Sequence, residues 1–233
     1  MTRVALMLAL AASWACDARA QDYHGKATMT VYEAGGDTSL DLNVRYTAGN
    51  FTTWAGYYGT QNDDNQGRAG VEYDWKRPNL FLVPSVQIAS HGFVGGSVYS
   101  EIGPTVFLVA GFSRTNLHPY ANLTFDPNES WQLGAGWHIG DEDSLTGYTI
   151  WDNRLDTGQQ VTHVVLKHYM PRKRRITLDT SYKSGHGDEG VYVHGFAEQV
   201  EDDWGRWFVK GAVDQHANYG PDTMVRLGGG FRF

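Results

Sequence analysis

Cysteine is almost missing from this chain: the one instance in 233 residues is Cys16, inside an apolar N-terminal run. Without that run no thiol remains for a disulfide, a thiolate metal site or thiol catalysis. Long hydrophobic runs are also missing. Beyond residue 15 no stretch approaches the roughly 20 apolar residues that a transmembrane helix needs, which excludes a helical membrane protein. Charged residues make up only 19% of the chain, and apolar residues at helical spacing are scarce. There is no phosphate-binding glycine loop and no dinucleotide fingerprint, so no cofactor is expected. Linkers of low complexity and internal repeats are absent too, and the length suits one domain.

What the chain does have is aromatic residues and glycine: 13 Tyr, 10 Phe, 8 Trp and 28 Gly, with a negative mean hydropathy. At the N-terminus Arg3 precedes the apolar run Val4–Ala15, which is of signal-peptide length. Ala18-Arg19-Ala20 offers a small-x-small cleavage site, so residues 1–20 are expected to be a signal peptide and residues 21–233 the mature domain. A lipoprotein acylated at Cys16 is the alternative, and Trp14 opposes it by occupying a position where that processing requires a small residue.

Period-2 alternation is clearest in six segments. Leu40, Leu42, Val44 and Tyr46 alternate with Asp41, Asn43 and Arg45, and Ala69, Val71, Tyr73 and Trp75 with Arg68, Glu72, Asp74 and Lys76. The pattern recurs at residues 131–139, 175–183 and 206–214. It recurs again in the last strand, where Val225, Leu227, Phe231 and Phe233 oppose Arg226, Gly228, Gly230 and Arg232. Weaker candidates near residues 27–34, 51–60, 80–90, 93–102, 105–114, 144–152, 160–169 and 190–200 bring the count to fourteen strands, or twelve if some merge. Tight turns at residues 48–50, 77–79, 103–104, 140–143, 171–172 and 201–203 alternate with longer connections, apart from brief ones near Gly35 and His91.

The alternating last strand ending on Phe233 resembles that of bacterial outer-membrane β-barrels, whose terminal phenylalanine is a recognition signal for assembly. The resemblance covers the signal peptide, the strand pattern and the last strand; no specific family is indicated. It implies an all-β, transmembrane, antiparallel up-and-down barrel in the outer membrane of a Gram-negative cell, with Phe231 and Phe233 as the assembly signal. It also implies contact with outer-membrane lipids and lipopolysaccharide, and with the barrel-assembly machinery and periplasmic chaperones. Short turns then face the periplasm and long loops the exterior. A soluble periplasmic β-sandwich or lipocalin-like barrel would alternate in the same way with its faces reversed.

With the apolar row on lipid, the other row lines a wet lumen. Arg45, Arg68, Glu72, Asp74, Arg206, Lys210 and Arg226 are the expected pore-lining residues. Along the clear strands bases on this row outnumber acids, although the chain as a whole is acidic at −7. Rings of Arg and Lys favour anions, and guanidinium forks suit carboxylates and phosphates, so a small monomeric porin passing small anionic solutes is the first reading. Pairing of these bases with neighbouring acids is the competing role for them. The segment Asn116–Asn128, with Pro119 and Pro127, is expected to fold inward and constrict the pore; the alternatives are an outward loop that binds a surface partner and one more short strand.

Catalysis is the second reading. Ser184, His186 and Asp188 occupy alternate positions where an outer-membrane lipid or ester hydrolase would place a serine and its base, at the extracellular rim. Their order is the reverse of the His-x-Ser spacing in those enzymes. Asp214-Gln215-His216 resembles the dyad of outer-membrane proteases, which also need an acidic pair such as Asp63-Asp64. Metal ligation by His186, Asp188 and Glu189 lacks a fourth ligand, so no metal is expected. The basic run Pro171–Arg175 belongs to a periplasmic turn, which meets lipid headgroups rather than nucleic acid. A non-conducting structural barrel is the third reading.

Overall fold

Alternating sequence produces ribbons with one apolar and one polar face, and closing such a sheet on itself removes every unpaired edge. The computed structural model describes residues 23–61, 65–114, 125–140, 142–152, 156–187 and 189–233; the expected signal peptide lies outside them. It shows fourteen antiparallel strands. These are β1 (Gly25–Ala34), β2 (Asp37–Ala48), β3 (Phe51–Thr60), β4 (Asn65–Tyr73, resuming as Trp75–Arg77), β5 (Leu80–Ala89), β6 (Phe93–Ile102) and β7 (Val106–Arg114). After the longest connection follow β8 (Ser130–Ile139), β9 (Asp143–Asp152), β10 (Gln160–Met170), β11 (Arg174–His186), β12 (Tyr192–Trp204), β13 (Trp207–Asp214) and β14 (Met224–Arg232).

Each strand pairs with its sequence neighbours, and β1 pairs with β14 to close the barrel. The break in β4 has a local cause. Both of its pieces pair with β5 in one register, and the ladder lapses where Pro84, which has no N–H to donate, would face Tyr73. Closure is completed beyond β14 by Phe233, whose N–H donates to the Gly25 carbonyl (2.9 Å) and whose carbonyl accepts from the Gly25 N–H (2.7 Å).

The apolar row points outward, as the membrane reading requires. Leu42, Val44, Val86, Ile88, Leu108, Leu133, Val164 and Leu227 stand exposed on the outer surface, with Val106 reaching 67%. In water such a surface would be an aggregation site; in hydrocarbon it is the required one. Aromatic side chains gather at both margins of this band. Near the chain termini lie Phe51, Tyr73, Trp75, Trp137, Trp204 and Phe231; near the opposite end lie Tyr57, Phe112, Trp131, Trp151, Tyr182 and Phe196. Such girdles mark the two membrane interfaces. Among the described residues no helix is long and apolar enough to cross a membrane, so the strands do the crossing.

One expected turn moves. Residues 201–203 read as a tight turn, yet β12 continues through them to Trp204, which pairs with Trp207, leaving Gly205-Arg206 as the two-residue turn. Gly205 has φ of 59°, which a hairpin of this length demands and glycine adopts without strain.

Candidate functional site

The inward row of the barrel is charged, and most of its charges are paired across strands. On one side of the lumen Arg45 of β2 forms a forked bond with Glu72 of β4 (2.6 and 3.3 Å), and Arg68 of β4 pairs with Asp41 of β2. Asp74 and Lys76 approach to 3.4 Å. Farther round, Asp203 of β12 receives both Arg175 of β11 and Arg232 of β14 at 2.5 Å. Glu201 of β12 lies 3.6 Å from Lys26, 3.5 Å from Arg175 and 3.9 Å from Arg232. Deeper toward the extracellular end, Lys183 of β11 pairs with Asp214 of β13, and both side chains are almost wholly enclosed.

The end of the long connection between β7 and β8, from Phe125 on, lies in this lumen. Residues 115–124 lie outside the described part, but Phe125 is buried against Ala197 and Ala212 of the wall. The Arg226 guanidinium lies 4.1 Å from the centre of the Phe125 ring, a cation–π contact. Next to it, Asp126 bonds to Nε2 of His163 (2.7 Å), whose Nδ1 bonds to Asp179 (2.8 Å). Tyr148 stacks on the same imidazole with ring centres 4.9 Å apart. The inward fold expected for this segment is therefore seen at Phe125 and Asp126. A second connection, between β13 and β14, also dips inward: Tyr219 is buried, donates to the Gln160 carbonyl (3.3 Å) and underlies Lys183.

Beside Arg226 is a small recess, about 180 Å³ when the solvent open to it is counted, lined by Thr30, Gln199, Lys210, Gly211, Ala212 and Arg226. Glu201 stands opposite Lys210 in the ladder but is occupied by three other bases. Among the described residues Lys210 makes no ion pair within 4.0 Å. The opposite wall is different in character. Phe93 of β6 and Phe107 and Val109 of β7 are at most 2% exposed, so that part of the wall is packed rather than wet.

Of the residues expected to line the pore, Arg45, Arg68, Glu72, Asp74, Lys210 and Arg226 stand on the inward row. Arg206 does not. It occupies the two-residue turn at the rim, exposed, with its carbonyl accepting from the Arg232 N–H (2.7 Å), because β12 runs longer than its three consecutive acids suggest. Phe231 and Phe233 lie on the outer face with ring centres 5.8 Å apart. Sequence reasoning missed Glu201 and Asp203 as lumen acids. The signal that could have placed them was Arg175, which stands directly across the ladder from Asp203.

Among the described residues, Ser184, His186, Asp214 and His216 are each held by other partners rather than in a working array. Ser184 is buried and accepts from the Gln160 amide (3.1 Å). His186 points its Nδ1 at the Thr157 carbonyl (3.0 Å), so that nitrogen carries the proton, and it packs edge-on to Tyr192. Asp188 lies outside the described residues, as do Asp63 and Asp64. Asp214 is committed to Lys183, and the His216 ring to the Gly220 carbonyl (3.0 Å).

A closed antiparallel ladder, an apolar outer band between aromatic girdles, a charged inner row and an in-folded loop define an outer-membrane porin-type barrel. No protein-family model matches the chain, and no curated protein matches it in sequence. Solved structures do share its fold. The outer-membrane protein Omp33 of Acinetobacter baumannii superposes with a TM-score of 0.63 at 10% identity, over 91% of this chain and 98% of that one. A mutant porin of Rh. blastica gives 0.51 at 10% identity over 90% and 98%. The KdgM porin in complex with disordered oligogalacturonate gives 0.50 at 8% identity over 89% and 99%. The fold is thus that of outer-membrane porins, and the outer band places the chain in that membrane.

Proposed function

We propose that the protein is a narrow, monomeric outer-membrane channel for passive diffusion of small anionic solutes. The observation that carries this reading is the charged inward row, with Lys210 and Arg226 facing one recess while the neighbouring bases are neutralised by Glu201 and Asp203. A KdgM porin solved with an acidic sugar polymer has the same fold, which supports the anionic class. Export through a signal peptide at residues 1–20, chaperone passage through the periplasm and insertion by the barrel-assembly machinery at Phe231 and Phe233 belong to the same reading. So does contact of the outer band with lipid and lipopolysaccharide. Planar-bilayer recordings of the refolded protein test the proposal: a reversal potential showing anion preference is expected, and cation preference would refute it. The alternative of a non-conducting structural barrel is favoured by the packed wall around Phe107 and Val109 and would be revealed by absent conductance.

A further inference from the structure

We infer that the recess between Lys210 and Arg226 is a binding site for a compact oxyanion, a carboxylate or phosphate group, on the wall of the lumen. The inference rests on the channel reading and gives it a specific docking point.

Three adjacent strands build the site. Gly228 of β14 stands between Thr30 of β1 and Lys210 of β13 in the two ladders. A Cβ at Gly228 would lie 2.7 Å from the Thr30 hydroxyl oxygen and 2.9 Å from Cε of Lys210. The missing side chain is what lets hydroxyl and ammonium converge on one point. Two residues along β14, Arg226 adds a guanidinium on the same side, and Gln199 supplies an amide from β12.

The hydroxyl indicates that the recess is built for a ligand. Thr30 is 1% exposed, and its Oγ1 has no hydrogen-bond partner among the described residues. A buried hydroxyl left without a partner is costly, and such groups in native structures call for an explanation. It opens onto a recess beside a lysine that, among the described residues, makes no ion pair within 4.0 Å, in a lumen where Lys26, Arg175, Lys183 and Arg232 all have theirs. An oxyanion satisfies both at once: its oxygens accept from the hydroxyl, the ammonium and the amide, and its charge offsets that of Lys210. A carbohydrate hydroxyl would satisfy Thr30 but leave the lysine charge uncompensated.

The test uses the refolded full barrel in detergent micelles, titrated with inorganic phosphate and, separately, with acetate, and followed calorimetrically. Saturable binding is expected for the native protein. Lys210→Gln should weaken it roughly tenfold or more, as the loss of one charge-assisted hydrogen bond implies. Thr30→Val, which is isosteric, should weaken it by a smaller factor. Lys173→Gln, which removes the same charge from a turn outside the lumen, should leave it unchanged. Equal binding by the native and Lys210→Gln proteins, or no saturable binding of either anion, overturns the site. Bilayer recordings separate this from the channel reading. Anion-selective current without saturable binding refutes the site and spares the channel, whereas binding without current supports the site and refutes the channel.

Discussion

Asp214→Ala should be among the most damaging single changes in the barrel. The Lys183 and Asp214 side chains are 1% and 2% exposed, so neither charge has water to fall back on. Removing one partner of a buried pair typically costs 3–5 kcal/mol, because an uncompensated charge is left behind. Here the ammonium keeps two lesser partners, the His216 carbonyl at 3.1 Å and the Tyr219 ring at 5.6 Å. These place the expected cost at the low end, about 3 kcal/mol, or on the order of a hundredfold in the folded-to-unfolded ratio. The double variant Lys183→Met/Asp214→Leu removes both charges and fills similar volume, so it should recover to within about 1 kcal/mol of the native protein. Reversible urea unfolding in lipid vesicles, followed by tryptophan emission, compares Asp214→Ala with the native protein and measures the cycle formed by the native protein, Lys183→Met, Asp214→Leu and the double variant. A cost below about 1 kcal/mol for Asp214→Ala, or a double variant as weak as the sum of the singles, would refute the reasoning. It would mean that water reaches this level of the lumen.

The in-folded loop and the terminal strand give two further expectations. Phe125→Ala with Asp126→Asn removes the cation–π contact to Arg226 and the charged bond to His163, the latter a contact of the class typically worth about 1.5–3 kcal/mol. Single-channel conductance should rise, as it should when residues 117–127 are deleted, and unchanged conductance would show that this loop does not set the narrowest point. Phe233→Ala strips the ring that covers Gly25 while keeping the backbone bonds that close the seam. Insertion into vesicles carrying the assembly machinery should slow well beyond any change in urea midpoint; equal insertion rates would end its role as the recognition residue.

How far the sequence reaches follows from which interactions are local. Alternation in Leu40–Tyr46 or Trp131–Ile139 is a property of each strand alone, so both its existence and its facing can be read directly. The same holds for Gly35-Gly36, where two positive φ angles (58° and 89°) make a hairpin between β1 and β2. Glu201, Asp202 and Asp203 mislead because three consecutive acids resemble a solvated turn. Only the partner strands, with Arg175 across the ladder and Arg232 beyond it, make an inward carboxylate affordable at that point. Asp202 faces the other way and is held at the outer rim by Arg174 (2.6 and 2.8 Å). Ser184 and His186 have the residue types of a dyad, but Gln160 and Thr157, from the strand and loop beside them, hold them separately. Asp126 could not be placed at all without knowing that His163 and Arg226 would be waiting inside.

These late-placed acids change what the lumen charge can mean. Counted from the clear strands alone, bases dominate the inner row, and selectivity follows from a diffuse positive field. Once Glu201, Asp203 and Asp126 join that row, most of the bases are neutralised within hydrogen-bonding distance. Paired charges at such separations present a passing ion with dipoles rather than a net field, and salt at physiological strength screens them beyond about 8 Å. Any preference for anions must then arise where a cation has no carboxylate within 4.0 Å, which among the described residues points to Lys210. Selectivity of that kind is local and saturable. It should fall with one substitution at Lys210 and resist the joint removal of a pair, such as Arg45→Gln with Glu72→Gln, which leaves the net charge of the wall unchanged.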